Sequence, residues 1–167
     1  MTTAVQSAPR IASDDAVRIA ADLYGLSVSA TPLPSERDQN FYCKAGNEQF
    51  VLKIANAAEA IEFLELQNQL IRFLAVSKIE LEFPRIVPAR TGEDTAKIKD
   101  ENGREHFVRL LTWLDGICFA QVSPHDRKLL VSLGRALAQM DAALAEFDHP
   151  AAHRSFYWDL RNANIAR

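Results

Sequence analysis

Glycine, cysteine, long apolar runs and surplus charge are scarce in this sequence. It has six glycines in 167 residues and no G-x-x-x-x-G-K-[ST], so a P-loop enzyme is excluded. The two cysteines, Cys43 and Cys118, are far apart, with no C-x-x-C and no histidine spaced to complete a metal set. Free thiols in a reducing compartment are therefore expected, rather than a disulfide or zinc. Nothing approaches the roughly 18 uninterrupted apolar residues of a membrane span, and the opening MTTAVQSAPR has no apolar core for a signal peptide. The expected location is the cytoplasm. Nineteen Lys and Arg against 22 Asp and Glu give a formal charge of -3, which argues against nucleic acid as a partner. The histidines, His106, His125, His149 and His153, do not cluster with carboxylates in the sequence, so surface or satisfied core positions are expected for them rather than ligand roles.

With 48% hydrophobic and 25% charged residues, the chain can bury a sizeable core as one domain or as two small lobes. Residues 1–11 read as a flexible N-terminus. From Ser13 a helix is expected: Ser13 as cap, Asp14 and Asp15 at its positive end, an apolar stripe through Ala16, Val17, Ile19, Ala20 and Leu23, and Gly25 as stop. Phe41 to Lys44 and Gln49 to Ile54 read as strands of a hairpin turning at Ala45-Gly46-Asn47-Glu48. Asn56 with Glu59 resembles a capping box, and apolar spacing predicts a helix over 57–76. FPRIVPA is a short extended piece between Pro84 and Pro88. A second hairpin turns at Asn102-Gly103 into an apolar strand from Phe107 to Leu111. Ser123-Pro124, with Asp126, opens the last helix, expected over 124–147. Its stripe Leu130, Leu133, Leu137, Met140, Leu144 reads as core. The order predicts an α+β arrangement, an antiparallel sheet with one packed helix followed by a helical piece.

Lys53 in FVLKI is the first chemical signal. An ammonium inside an apolar strand costs free energy unless it reaches the sheet edge or meets an anion. Surface alternation alone would explain it. However, a strand Lys, then an acidic helix (Glu59, Glu62, Glu65), then a strand running into LLTWLDG, is the order of a protein-kinase-like N-terminal lobe. In that lobe a helix Glu orients a Lys that holds the nucleotide's α- and β-phosphates.

SERDQNFYCK, QFVLKIAN, EFLELQNQLIRFL, FVRLLTWLDG and LGRALAQMDAALAEFDHPAAHRSFYWDLRNA together resemble the aminoglycoside phosphotransferase and choline kinase-like small-molecule kinases. Within that family the likeness is nearest to hydroxylysine kinase-like proteins and to the kinase-like module fused ahead of class III aminotransferases. The resemblance runs from residue 12 onward and rests on the order and spacing of the stretches, none of which is diagnostic alone. It implies a nucleotide-binding N-lobe over residues 12–112, and a hinge with the start of an incomplete helical C-lobe over 113–167.

Carried over by position, Lys53 would hold phosphate with Glu65 as its helix partner and Glu62 as the fallback; on the bare helix these acids are simply solvated charge. Leu111, Thr112, Trp113 and Leu114 would line the hinge against adenine, and Gly116 would let the chain turn into the second lobe. The loop Ser35 to Asn40 would cover phosphates through backbone N–H groups, Ser35 and Arg37, although it lacks the glycines of the protein-kinase loop.

YWDLRNAN places Asp159 and Asn164 five apart, the spacing of a kinase base and magnesium ligand, with Tyr157 where the family normally has His. Only one long helix lies between the hinge and Asp159, and no further Asp follows before Arg167. In the hydroxylysine kinase-like group such a W-D-L element precedes the true loop, so Asp159 and Asn164 stay as candidates and no complete catalytic or metal set is expected in this chain. The resulting expectation is the N-terminal part of an ATP- and Mg2+-dependent phosphotransferase acting on a hydroxyl of an amine-bearing small molecule. The chain alone would then bind nucleotide weakly and turn over nothing. The alternatives are a non-catalytic kinase-like module, including one fused to an aminotransferase, and a plain α+β domain. A homodimer through the Leu130–Leu144 face is a further expectation for a shortened chain.

Overall fold

The computed structural model describes residues 8–153. A six-stranded antiparallel sheet lies between two helices, one on each face. Helix α1 (Ser13–Tyr24) comes first, then strands β1 (Ser29–Leu33), β2 (Gln39–Ala45) and β3 (Glu48–Ile54), then helix α2 (Ile61–Val76). Strands β4 (Ile86–Val87), β5 (Ala96–Lys99) and β6 (Glu105–Thr112) complete the sheet, and helix α3 (Arg127–Leu144) follows. The strand order is β1-β2-β3-β6-β4, with β5 also paired to β6.

The period of the strands separates two environments. Phe41 and Cys43 of β2, Phe50, Leu52 and Ile54 of β3, and Val108 and Leu110 of β6 form the core together with Ala16; Ile19, Leu23 and Tyr24 of α1 pack against it. The alternate residues point to the other face, because side chains along a strand change side at every step. Arg109, between Val108 and Leu110, reaches α2 from that side. Only one packed helix was expected. The second is needed because the sheet is lined on both faces.

The helix caps differ from the sequence reading. Ser13 is the first helical residue of α1 and Ala12 the N-cap, with no side-chain cap; Gly25 does end the helix, at φ 70, its N–H donating to Ala21 O at 3.0 Å. Asn56 does not cap α2. Its Oδ1 accepts from Ala58 N at 3.0 Å, holding a turn that delays the helix to Ile61. The last helix begins at Arg127, with Asp126 as its cap, accepting from Leu129 N at 2.8 Å, so neither Ser123 nor Pro124 lies in it. Polar residues near a helix start bind whichever backbone N–H they reach first, and sequence does not specify which.

The stripe of α3 was expected as core but contains no buried residue: Leu130 is 50% and Leu137 49% exposed. Both hairpins form where expected, with Gly46 (φ 60) and Gly103 (φ 76) supplying the positive φ that their turns require. Strand β1 carries Pro32, which is tolerated because β1 is an edge strand. Cys43 is buried and Cys118 exposed, and both thiols are free.

Beneath the second hairpin, His106 is fully buried between Ala55 O (2.9 Å from Nδ1) and Asp100 Oδ2 (3.4 Å from Nε2). His106 therefore meets a carboxylate that the sequence reading did not pair with it, although its role is still that of a satisfied core residue. Burial opposes ionisation of Asp100, yet hydrogen bonds from the backbone and side chain of Arg104, from His106 and from Asn102 N together hold its carboxyl well below the usual range. A carboxyl whose folded pKa is depressed adds stability above its unfolded pKa of about 3.9 and loses it as pH falls through the folded value. Asp100→Asn should therefore melt several degrees below wild type at pH 7, with the gap narrowing steadily as melts are taken below about pH 4. Leu52→Ala, at a fully buried core position, should cost about 2–5 kcal/mol in denaturant unfolding.

Candidate functional site

The face of the sheet opposite α1 carries two cross-strand rows fixed by register. Asn40 of β2 pairs with Lys53 of β3, which pairs with Arg109 of β6. One step along, Tyr42 pairs with Val51 and Val51 with Leu111. Directly opposed residues of antiparallel strands share a face, so a polar row and a largely apolar row lie side by side.

Lys53 Nζ donates to Asn40 Oδ1 at 3.1 Å, and Asn40 Nδ2 donates to Ser35 Oγ at 3.2 Å. Burial draws the Lys53 ammonium below the usual lysine range; the Asp38 carboxylate opposes that and the Arg109 guanidinium adds to it. The glycine-free loop is tied down by side chains. Asn56 Nδ2 donates to Arg37 O at 3.1 Å, Asp38 Oδ1 accepts from Asn56 N at 3.0 Å, and Arg37 Nη2 lies 3.7 Å from Glu59 Oε2. Such a loop needs no glycine because polar side chains set its path.

The acid partners do not fall where the sequence reading put them. Glu65 and Glu62 are exposed, and among the described residues neither forms an ion pair with Lys53. Glu65 instead lines a groove of about 750 Å3 between α2 and the β5–β6 hairpin, beside Arg72, Asp94 and Lys97. Helical spacing put Glu62 and Glu65 on the solvent side, and the positions turned toward the sheet are Gln67 and Asn68. Arg109 Nη2 donates to Gln67 Oε1 at 2.7 Å, and its Nη1 donates to Asn68 Oδ1 at 2.9 Å. The carboxylates that act on Lys53 and Arg109 are Asp38, and for Arg109 also Glu59; both lie outside α2.

At the other end of the face the chain leaves the sheet. Thr112 N donates to Arg85 O and Trp113 N to Gln49 O, each at 2.9 Å, so both N–H groups are engaged. The Trp113 ring meets Tyr42 edge-on at 4.9 Å, and Leu114 is 41% exposed. Asp159 and Asn164 lie outside the described residues. Among the described residues no group of three or more His, Cys, Asp or Glu side chains is arranged to hold a metal ion.

Asn40, Asp38, Gln67, Asn68 and Arg109 were all missed as site residues. Arg109 had a readable signal: it is a cation inside the apolar run FVRLL, as Lys53 is inside FVLKI.

A single antiparallel sheet with one helix on each face and a partly buried Lys beside a buried Arg on one face is the architecture of a kinase-like N-terminal lobe, and comparison with known proteins agrees on the fold. Residues 29–167 match the phosphotransferase enzyme family, and the chain belongs to that family. It is similar to hydroxylysine kinase of Mus musculus (36% identity, over 86% of this chain and 42% of that protein) and of Xenopus laevis (32%, 95% and 46%). The chain thus spans less than half the length of these curated relatives. Two solved structures share the fold. One is an amicoumacin kinase in complex with AMP-PNP, Ca2+ and Ami (TM-score 0.71, 18% identity, 95% of this chain and 47% of that one). The other is a microcompartment-associated aminopropanol kinase (0.67, 18%, 88% and 45%). No helix among the described residues is long and apolar enough to cross a membrane.

Because its ammonium is partly desolvated and held by a neutral amide, Lys53 does little for the stability of the fold. Lys53→Met should melt no lower than wild type in a thermal scan. A drop of several degrees would show that the lysine has a structural role.

Proposed function

We propose that this chain is the nucleotide-binding part of an ATP-dependent small-molecule phosphotransferase, with Lys53 holding the phosphates. The observation that carries this reading is the pair of adjacent rows: Val51 and Leu111 beside Trp113 suit an apolar base, and Lys53 one step away suits its phosphates. Two residues along a strand span about 6.8 Å, a separation suited to placing a base and a phosphate on one molecule. With the N–H groups of Thr112 and Trp113 engaged, contact between hinge and base falls to Leu114. Ser35 acts through Asn40, which fixes the Lys53 ammonium, and Arg37 lends charge at the loop.

Phosphoryl transfer is mostly positioning and charge neutralisation, and Lys53 supplies part of both. Among the described residues no group of acids or histidines is arranged to hold a metal ion, and in this reading Mg2+ would arrive on the nucleotide phosphates. The acceptor in this reading is a hydroxyl of an amine-bearing small molecule, supported by likeness to hydroxylysine kinases. A non-catalytic kinase-like module, with or without a fused aminotransferase, is the second reading; the glycine-free loop and the absence of a Lys53–Glu65 pair favour it.

Calorimetry with MgATP separates the first reading from a plain α+β domain. Wild type should show saturable binding that Lys53→Ala weakens about tenfold or more, consistent with the loss of one charge-assisted phosphate contact. Equal binding by both proteins, or none by wild type, would end the nucleotide reading.

A further inference from the structure

We propose that Arg109 is a positioning residue of the nucleotide site: it docks α2 onto the sheet through the amides of Gln67 and Asn68, and it stands as a second positive charge beside Lys53. This rests on the nucleotide-lobe reading above and adds to it the means by which α2 is held and the charge of the site maintained.

Arg109 is only 3% exposed. Its acceptors are Gln67 Oε1 at 2.7 Å, Asn68 Oδ1 at 2.9 Å and, at 3.5 Å, Leu64 O, all neutral and all on α2. Asn68 is in turn fixed by donating from Nδ2 to Thr95 Oγ1 at 3.0 Å, so the clamp reaches the segment leading into β5. Burying a guanidinium is costly, and fold stability alone is often served as well by a well-packed apolar side chain of similar volume. Here α2 offers amides. They satisfy the fork geometry that makes Arg a directional anchor without cancelling its charge.

Register supplies the second half of the inference. Lys53 and Arg109 are directly opposed on β3 and β6, so two like charges lie on one face, although like charges so placed destabilise a sheet. Asp38, and for Arg109 also Glu59, moderate the pair from outside α2. An incoming polyanion would relieve the remaining repulsion, while adenosine, with no phosphate, would not. Arg109 is assigned no phosphate contact, because its Nη1 and Nη2 are turned onto α2 acceptors. It acts through the position of the helix and the potential at Lys53.

The test compares MgATP with adenosine, by calorimetry on the full 167-residue chain, for wild type, Gln67→Glu, Arg109→Met and Arg109→Lys, with a thermal melt of each. Gln67→Glu puts a carboxylate against the guanidinium at a partly exposed position. It should weaken MgATP about threefold to tenfold, leave adenosine within about twofold and melt no lower than wild type. Arg109→Met should weaken MgATP by about tenfold or more with a smaller effect on adenosine, and Arg109→Lys should recover part of that loss by restoring charge without the fork. Equal losses for MgATP and adenosine would reduce Arg109 to a packing residue and overturn the proposal. MgATP binding unchanged in Gln67→Glu while Lys53→Ala is impaired would overturn it too, and would leave the nucleotide reading standing. If Arg109→Met does not fold, the Gln67→Glu result decides. If wild type binds no MgATP, the nucleotide reading falls and this proposal with it.

Discussion

The structure depends on the register between β3 and β6. With Lys53 opposite Arg109, Leu52 and Ile54 fall with Leu110 and Val108 on the α1 face, and the two cations of these strands fall on the other. A slip of one residue between them would turn one of the two cations into the apolar core and that strand's core residues outward, at a cost no local contact could offset. Burial of seven strand residues against α1 therefore also aims the ammonium. Core and site are opposite faces of one constraint.

That constraint explains why α2 sits where it does. The face opposite α1 cannot be left as bare sheet, yet its central row is polar, so the covering helix must bring hydrogen-bond partners as well as apolar contacts. Gln67 and Asn68 are those partners, and the exposed ion pair from Arg72 to Asp94 adds a peripheral tie. The loop before β2 completes the surround from the other side through Asp38, Asn40 and Asn56. Each amide in this set uses both oxygen and nitrogen or bridges two elements, which gives a polar site a single arrangement.

Much of the fold was legible in the sequence because alternation and turn chemistry act locally. Gly46-Asn47 and Asn102-Gly103 specified both hairpins, and FVLKI and FVRLL specified the central strands. The first helix begins at Ser13 as expected, though Ser13 does not cap it; α2 and α3 start three or four residues later than read, because Asn56 holds Ala58 N and Asp126 is the cap of α3. Lys53 was legible through the cost of its burial. Its partner was not, because the helix acids were identified by type, and only the packed structure shows which side of α2 meets the sheet. Among the described residues Glu65 lines the groove beside α2 rather than pairing with Lys53, and the nearby amides Gln67 and Asn68 look like ordinary polar surface in a one-dimensional reading. Arg109 obeyed the same rule as Lys53 and should have been found by it.

The central claim is that the Lys53 ammonium faces the phosphates of a bound nucleotide. An acyl-phosphate derivative of ATP tests this directly, since an amine beside the phosphates attacks the acyl carbon, keeps the acyl group and releases ATP. Peptide mapping of the treated chain should find the acyl group on Lys53, with labelling there suppressed by excess MgATP. Labelling confined to exposed lysines such as Lys97, or labelling of Lys53 that MgATP does not suppress, would contradict the account.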